Sequence, residues 1–164
     1  MSVLVIPTAR LHLVLETTES ILARIEAMSP AERAEVSPSW LARLGSAHPS
    51  PWTHGFAMVA QVGDTVVGSC GYKGPPDADG AVEIAYGVNP EHQGRGYAKE
   101  AAGALVDYAL AAGARVVRAH TQPERGASAT VLAACGFGKV GAIVDPEDGL
   151  VWRWEYVVPD RRPA

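Results

Sequence analysis

The stretch from Asn89 to Ala101, NPEHQGRGYAKEA, places two glycines around an arginine where a strand-like run gives way to a helix-like run. A helix N-terminus offers unpaired N–H groups and the positive end of the helix dipole. Gly94 and Gly96 let the backbone approach an anion closely, because neither has a Cβ atom. Arg95 and Lys99 add positive charge beside them. The stretch therefore predicts a phosphate-binding loop.

Two familiar phosphate-binding patterns do not match this stretch. A P-loop requires a Gly-Lys-Ser or Gly-Lys-Thr step, and the chain contains neither. A dinucleotide-binding fingerprint requires a third glycine at the position that Lys99 occupies. On this stretch alone, a glycine-rich strand-to-helix turn without any ligand remains an alternative.

Glu83 is the one carboxylate in the strand-like run AVEIAYGV, residues 81–88. Strand alternation places Glu83, Ala85 and Gly87 on one side of that strand. A carboxylate in such an apolar strand could accept a proton from a substrate, directly or through water. The alternative is a strand-end glutamate that faces solvent or pairs with Arg118.

The remaining titratable residues give no pattern of their own. His92 and His120 could titrate near neutral pH, but nothing in the sequence ties either to chemistry. The five histidines lack ligand spacing, so we expect no metal site. Cys70 and Cys135 lie in apolar surroundings, which is typical of buried thiols in a reducing cytoplasm.

The composition is that of one globular domain. The chain has 164 residues, 48% of them hydrophobic and 20% charged. Its net charge of −4 disfavours a non-specific nucleic-acid binder, which usually carries a basic face. No run approaches the roughly 20 apolar residues of a membrane span, and the opening MSVLVIPTAR is too short in apolar residues for a secretory signal. We therefore expect a cytoplasmic protein with neither nucleic acid nor membrane as a partner.

The elements that must position these residues alternate between strand and helix patterns. Period-two alternation, turn residues and strand-forming composition predict strands over 9–16, 56–61, 65–72, 81–88, 115–121, 139–144 and 150–158. Capping and helical periodicity predict a helical region after the first strand, with a capping box at 29–32, and helices over 39–44, 96–112 and 126–136. The stripe of Tyr97, Ala101, Leu105, Tyr108 and Ala112 should face the core. This order predicts a single mixed α/β domain, residues 1–164, with a mostly antiparallel sheet flanked by helices.

The run Gln93-Gly94-Arg95-Gly96-Tyr97-Ala98 matches Q/R-x-x-G-x-G/A, and the chain resembles the GNAT N-acetyltransferase family, in which that loop binds the coenzyme A pyrophosphate. The resemblance extends in order along nearly the whole chain. TARLHL is similar to the family's first strand and VVGSCGY to its third. VEIAYGVNPEHQGRGYAKEA and GASATVLAACGF are similar to the central strand–helix unit and a later helix of the branch that contains ribosomal-protein N-terminal acetyltransferases.

This resemblance implies acetyl-CoA as co-substrate and assigns roles to individual residues. Its pyrophosphate would bind the loop of Gln93, Gly94, Arg95, Gly96, Tyr97, Ala98 and Lys99. Its pantetheine arm would pair with Tyr86, Gly87 and Val88 as though it were another strand, where Gly87 suits a splay or a bulge. Ser128 occupies the serine position of the branch's Asn-x-x-Ser pattern, which implies a proton donor to the departing thiolate. A simple helix N-cap is the alternative for Ser128.

The resulting prediction is direct acetyl transfer from acetyl-CoA to a primary amine, on a protein N-terminus or a small molecule, with Glu83 and Ser128 as catalytic residues. Trp40, Trp52, His54, Tyr72, Trp152 and Trp154 could line the acceptor cleft or simply pack in the core. Two departures from the family pattern, Arg125 in place of Asn and Leu132 in place of Tyr, favour a non-catalytic acyl-CoA-binding module as the alternative. The C-terminal hairpin could form the edge of a homodimer.

Overall fold

A computed structural model of the chain describes residues 4–44, 49–124, 126–146 and 149–157. Over these residues, eight strands form one sheet that is accompanied by five α-helices and a 3-10 turn at Pro90–His92. The strands are β1 (Val5–Pro7), β2 (Leu11–Leu15), β3 (Phe56–Ala60), β4 (Val66–Tyr72), β5 (Ala81–Val88), β6 (Val116–Thr121), β7 (Gly138–Asp145) and β8 (Gly149–Val157). The helices are α1 (Thr18–Glu26), α2 (Pro30–Ala34), α3 (Pro38–Leu44), α4 (Tyr97–Ala111) and α5 (Ala127–Ala134).

The sheet has the order β1-β2-β3-β4-β5-β6-β8-β7. Every neighbouring pair is antiparallel except β5 and β6, which run parallel. That parallel step follows from the crossover through α4, since parallel neighbours need a long connection. The prediction of a mixed α/β domain with a mostly antiparallel sheet is confirmed.

The core lies between the sheet and α4. The predicted alternation of β2 is confirmed, because Leu11, Leu13 and Leu15 are buried while His12 and Val14 are half-buried. On α4 the buried positions are Ala101, Ala102, Leu105, Val106 and Ala109. No helix within the described ranges has the length and apolar character needed to cross a membrane.

The predicted stripe on α4 needs one correction. Ala101 and Leu105 are buried as expected, but Ala112 is exposed, since the helix ends at Ala111. The expected face is therefore completed by Ala102, Val106 and Ala109, which widen the apolar stripe toward the sheet.

The N-terminal edge of the sheet contains a strand that the pattern did not predict. β1 pairs antiparallel with β2, with Val5 opposite Val14 and Pro7 opposite His12. β1 includes Pro7, which is tolerated because β1 lies at the edge of the sheet, where the missing N–H of a proline is not needed.

Most predicted turns and caps are confirmed. Ser29 and Glu32 form the reciprocal capping box of α2. Gly63 and Asp64 both have positive φ in the turn between β3 and β4. We also predict from the sequence a helix stop at Gly45, a loop at 46–52 and a turn at 146–149; Gly45 and parts of the loop and the turn lie outside the described residues.

Candidate active site

The predicted phosphate-binding loop forms the entry to α4. Gly96 is the N-cap of this 15-residue helix and has φ 83°, and Gly94 has φ 79°. Both values lie in the left-handed region that residues with a Cβ atom avoid. The two glycines therefore turn the chain sharply, so that the first N–H groups of α4 point out of the loop.

Nine of the ten residues expected to bind the cofactor line one groove of about 520 Å³. This groove, called the cofactor groove below, runs between the end of β5, the glycine loop and the start of α5. Arg95 is exposed and does not occur among its described lining residues. The nine that line it are Tyr86, Gly87, Val88, Gln93, Gly94, Gly96, Tyr97, Ala98 and Lys99.

The backbone of β5 is open along this groove except at the Val88 carbonyl, which accepts from Gln93 Nε2 at 2.9 Å. The N–H of Lys73 donates to the Glu83 carbonyl at 2.9 Å, and antiparallel strands alternate between residues that bond to the partner strand and residues that point away. Tyr86 and Val88 therefore direct their backbone groups away from β4 and toward β6. The pairing of β5 with β6 ends at Glu83 opposite Arg118, so these groups face the gap between the two strands. Such an edge suits an extended ligand arm.

Of the two alternatives expected near Gly87, a splay and a bulge, the structure has the splay. The register of β5 on β4 is continuous from Ile84 to Val88, so the strand does not bulge there. The separation lies instead between β5 and β6. By the same alternation, Gly87 directs its own backbone groups to β4, and a Cβ atom at Gly87 would meet nothing within 4 Å. Its lack of a side chain keeps the groove open.

A buried nitrogen in the wall of the groove has no hydrogen-bond partner within the described part of the chain. His92 Nδ1 is shielded from solvent and has no hydrogen-bond partner among the described residues. Buried polar atoms without a partner are rare in folded proteins, and a catalytic role or an absent water or ion is among their explanations. The orphaned nitrogen, the open strand edge and the helix N-terminus fit a long ligand that carries phosphate groups at one end.

Glu83 lies in a smaller pocket of about 130 Å³ beside the groove. Its Oε2 atom is 2.8 Å from His120 Nδ1 and 3.0 Å from Lys73 Nζ. The alternative of a pair with Arg118 is wrong. Arg118 contacts Glu155 at 2.6 Å and Asp77 at 3.6 Å instead.

Ser128 is exposed and lines both this pocket and the cofactor groove. The alternative of an N-cap is wrong for Ser128, because Gly126 is the N-cap of α5 and Ser128 is the second residue of the helix. The Tyr86 hydroxyl donates to the Ser128 carbonyl at 3.3 Å. Burial raises the pKa of Tyr86 to about 12, so its hydroxyl remains protonated at neutral pH. Arg125, three residues earlier, lies outside the described residues.

A third and larger cavity, of about 800 Å³, reaches the same place from the side of β4 and α1. Tyr86 lines all three spaces, and Gly87 lines both this cavity and the cofactor groove. The wall of the large cavity includes Glu16, whose buried carboxylate is 2.5 Å from Arg24. The three spaces therefore adjoin one another at Tyr86 on β5.

The aromatic residues divide between packing and this cavity. Trp52 and Tyr72 pack with ring centroids 4.8 Å apart, and Tyr72 also lines the large cavity. His54 is fully buried, with Nε2 2.8 Å from the Thr18 hydroxyl, and Trp154 is buried in the core. Both cysteines are free. Cys70 is buried as expected, which raises its thiol pKa to about 12, whereas Cys135 is only half-buried.

Sequence reasoning missed two residues around Glu83, His120 and Lys73. His120 lies on β6 with the same parity as Arg118, which is opposite Glu83 in the register. The strand pattern alone could have placed His120 on the face of Glu83, but only a known β5–β6 pairing reveals that the two side chains meet. Lys73 follows the last residue of β4 and could have been found only from the β4–β5 register.

The model of the acetyltransferase (GNAT) domain matches residues 11–138. The uncharacterized N-acetyltransferase p20 of Bacillus licheniformis is 31% identical over 93 residues, which are 56% of this chain and 52% of that protein. The chain thus spans about half the length of this relative.

Solved acetyltransferase structures share the fold. The ribosomal-protein-S5-alanine acetyltransferase of Vibrio fischeri superposes with a TM-score of 0.70 at 18% identity, over 98% of this chain and 100% of that one. RimL, a ribosomal L7/L12 α-N-protein acetyltransferase in complex with coenzyme A, gives a TM-score of 0.71 at 15% identity, over 94% and 98% of the two chains. At these identities the superpositions establish the fold, and the domain match over residues 11–138 establishes the family. The chain belongs to the acetyltransferase (GNAT) family, whose members use acetyl-CoA.

Proposed function

We propose that the protein is an N-acetyltransferase that moves the acetyl group of acetyl-CoA directly to a primary amine within a ternary complex. One observation carries the proposal. Tyr86 and Ser128 line both the cofactor groove and the pocket that contains Glu83. A thioester at the end of the groove would therefore lie beside a carboxylate and a hydroxyl, the two kinds of group that acyl transfer to an amine needs.

The cofactor groove would hold acetyl-CoA by its backbone. The N–H groups at the start of α4, beside Gly94 and Gly96, would bind the pyrophosphate, and Lys99 would add a positive charge. The backbone of Tyr86 and Val88 would pair with the pantetheine arm along the open edge of β5. Coenzyme A supplies the acyl group as a thioester. The Val88 N–H would then donate to the carbonyl oxygen, where negative charge develops during attack.

Glu83 and Ser128 would move the protons. Glu83 would accept a proton from the attacking amine, which must lose one to form an amide. Ser128, which is exposed, would donate a proton to the departing thiolate and regain one from solvent, while Glu83 returns the amine proton to solvent. No acyl-enzyme is needed in this scheme, and burial makes Cys70 a poor nucleophile because it raises the thiol pKa to about 12.

The acceptor amine would enter through the large cavity of about 800 Å³. Its lining mixes acidic, basic and hydroxyl side chains, among them Glu16, Arg24, Ser37, Thr53 and Lys73. This polar wall suits an amine that carries further hydrogen-bonding groups, such as a peptide N-terminus, an amino sugar or a polyamine.

The test is thiol release from acetyl-CoA against a panel of amines, with the acetylated product identified by mass spectrometry. The panel contains peptides with free N-termini, spermidine and an aminoglycoside. We expect turnover of at least one amine by the wild-type chain. Tight binding of acetyl-CoA without turnover of any of them would instead identify a non-catalytic acyl-CoA-binding module.

Two further expectations belong to the same proposal. The β7–β8 hairpin forms one edge of the sheet and exposes Val140, Val144 and Leu150, so it could pair with a second copy. Sedimentation at high protein concentration tests this, and a single monomeric species would remove the dimer.

The two free cysteines agree with a cytoplasmic location.

A further inference from the structure

Three side chains on adjacent strands form a continuous hydrogen-bonded row that includes Glu83. His120 on β6 lies between Glu83 on β5 and Arg153 on β8. Its Nδ1 atom is 2.8 Å from Glu83 Oε2, and Arg153 Nε donates to its Nε2 atom at 3.1 Å. The side chain of His120 is 9% exposed, so the row is largely sheltered from solvent.

The contact with Arg153 fixes where the imidazole carries its proton. A guanidinium group can only donate hydrogen bonds, so Nε2 must be the accepting nitrogen of His120. The proton of the neutral ring is therefore on Nδ1, which donates to Glu83. His54 has the opposite arrangement, because its Nδ1 accepts from the Ser50 N–H at 3.3 Å and its Nε2 faces the Thr18 hydroxyl.

The imidazole of His120 is poorly placed to act as a base, because both of its ring nitrogens are hydrogen-bonded. Nε2 is occupied by a cation, and Nδ1 already carries a proton directed at a carboxylate. The other charged groups facing it are Lys73, which contacts the same Glu83 oxygen at 3.0 Å, and the Arg118–Glu155 pair on the same face of β6 and β8. The row is instead arranged to hold the Glu83 carboxylate in one orientation.

We propose that His120 is a positioning residue for Glu83 and that Arg153 fixes its tautomer. This inference rests on the proposed function. In the transfer step the amine N–H bond breaks and the proton moves to Glu83, while His120 retains its own proton on Nδ1. Orientation of a catalytic group matters because a misplacement of about 1 Å can lower a rate roughly 10²-fold.

Two substitutions separate positioning from proton transfer. Asparagine places an amide N–H near the position of Nδ1, so His120→Asn keeps a donor toward Glu83. Glutamine places its amide near the position of Nε2, so His120→Gln removes that donor. Neither amide can take up a proton at neutral pH. Arg118→Gln is the matched control, because Arg118 lies on the same face next to Glu83 but contacts Glu155 and Asp77.

The experiment combines a spectroscopic and a kinetic measurement on the full chain. Long-range ¹H–¹⁵N correlation spectra at neutral pH report the tautomer of each histidine, with His120 assigned from its variants and His54 as an internal reference. Steady-state rates use acetyl-CoA and the panel amine that the wild type acetylates fastest. Circular dichroism verifies that each variant is folded.

We expect the Nδ1–H tautomer for His120 and the Nε2–H tautomer for His54. We also expect kcat near wild type for His120→Asn and Arg118→Gln, and a roughly 10²-fold lower kcat for His120→Gln at an unchanged Kd for acetyl-CoA. An Nε2–H tautomer of His120 would overturn the positioning role alone. So would an equal loss of kcat in His120→Asn and His120→Gln when the wild type is active. Absence of turnover by the wild type would refute the proposed function and, with it, this role.

Discussion

Glu83 is the one carboxylate in the otherwise apolar strand β5, and it lines a pocket. It lines the pocket beside the cofactor groove, and its side chain is 26% exposed, so an amine can reach it. Its Oε2 atom accepts from both His120 and Lys73, which fixes the group. A carboxylate that is oriented, accessible and adjacent to the proposed thioester position is suited to accept a proton.

Glu83→Gln preserves the shape of this side chain and removes its capacity to accept a proton. We expect kcat to fall by roughly 10²–10⁴-fold while the Kd for acetyl-CoA is unchanged, because the cofactor would be held by backbone groups elsewhere. Steady-state kinetics and titration calorimetry measure the two quantities. Glu155→Gln, on the same face of the sheet, is the control. Near-wild-type turnover of Glu83→Gln would remove Glu83 as the base.

Ser128→Ala tests the proton donor to the leaving group. We expect a larger loss of kcat with acetyl-CoA than with an activated acetyl thioester whose thiol has a lower pKa, because the latter thiolate departs without a proton. Since Gly126 is the N-cap, the substitution should leave the stability of the fold nearly unchanged. Equal losses with both thioesters would show that the hydroxyl has no part in thiol departure.

At the scale of the elements, the site depends on how closely β4 and β5 approach. A Cβ atom built on Gly68 would lie 2.2 Å from the Gly87 carbonyl oxygen, which is backbone and has no freedom to move aside. Gly68 therefore permits the close pairing that aligns Tyr86, Gly87 and Val88 with the cofactor groove. The strand edge that would bind the pantetheine arm is positioned by a residue on the neighbouring strand.

Gly68→Ala should consequently affect both stability and ligand binding. We expect a loss of about 1–3 kcal/mol in the free energy of unfolding, as for other overpacked sites, together with weaker binding of acetyl-CoA. Gly103→Ala is the control, because a Cβ atom on this helical glycine meets nothing within 4 Å. It should raise stability by about 0.5–1 kcal/mol. Urea unfolding measures both, and an unchanged Gly68→Ala protein would contradict the close-approach argument.

The elements differ in how far the sequence predicts them. Helix α4 and the β3–β4 turn could be predicted because their signals are local: apolar periodicity, and a Gly-Asp turn. The gap between β5 and β6 could not, since it depends on pairing between strands separated by the whole of α4. For the same reason Glu83 could be selected as a candidate while its partner His120 could not. Its other partner, Lys73, could be found only from the β4–β5 register. The sequence does not predict β1, because this strand has only three residues and one of them is Pro7, a residue type that is disfavoured in most strands.

At the scale of the whole molecule, a cluster of polar contacts ties the N-terminal strands to the helix that begins at the glycine loop. Arg10 and Thr8, between β1 and β2, both contact Glu100 in the first turn of α4; Thr8 Oγ1 lies 2.7 Å and Arg10 Nε 2.6 Å from its carboxylate. The Arg10 guanidinium also lies 4.9 Å from the centroid of the Tyr97 ring. The loop is thus anchored to the opposite edge of the sheet from the β7–β8 hairpin.

This anchor predicts a specific acid sensitivity. Burial alone would raise the pKa of Glu100, but the hydrogen bonds from Thr8 and Arg10 outweigh it and hold that pKa below the ordinary glutamate value. A depressed pKa means that the carboxylate stabilises the fold above its unfolded-state pKa, and that this contribution is lost as the pH falls through the folded-state pKa. Glu100→Gln should therefore be less stable than wild type at neutral pH, and the difference should shrink in acid. Urea unfolding over a pH series measures it, and a difference independent of pH would contradict the contact's role.

The central claim is that acetyl-CoA lies in the cofactor groove between β5, the glycine loop and α5. Hydrogen–deuterium exchange of the full chain, with and without saturating acetyl-CoA, tests it most directly because it reports individual backbone N–H groups. We predict slower exchange at Tyr86, Val88 and the loop from Gly94 to Lys99, with the β7–β8 hairpin unchanged. Unaltered exchange along β5 and the glycine loop, or protection confined to another face of the sheet, would contradict the account.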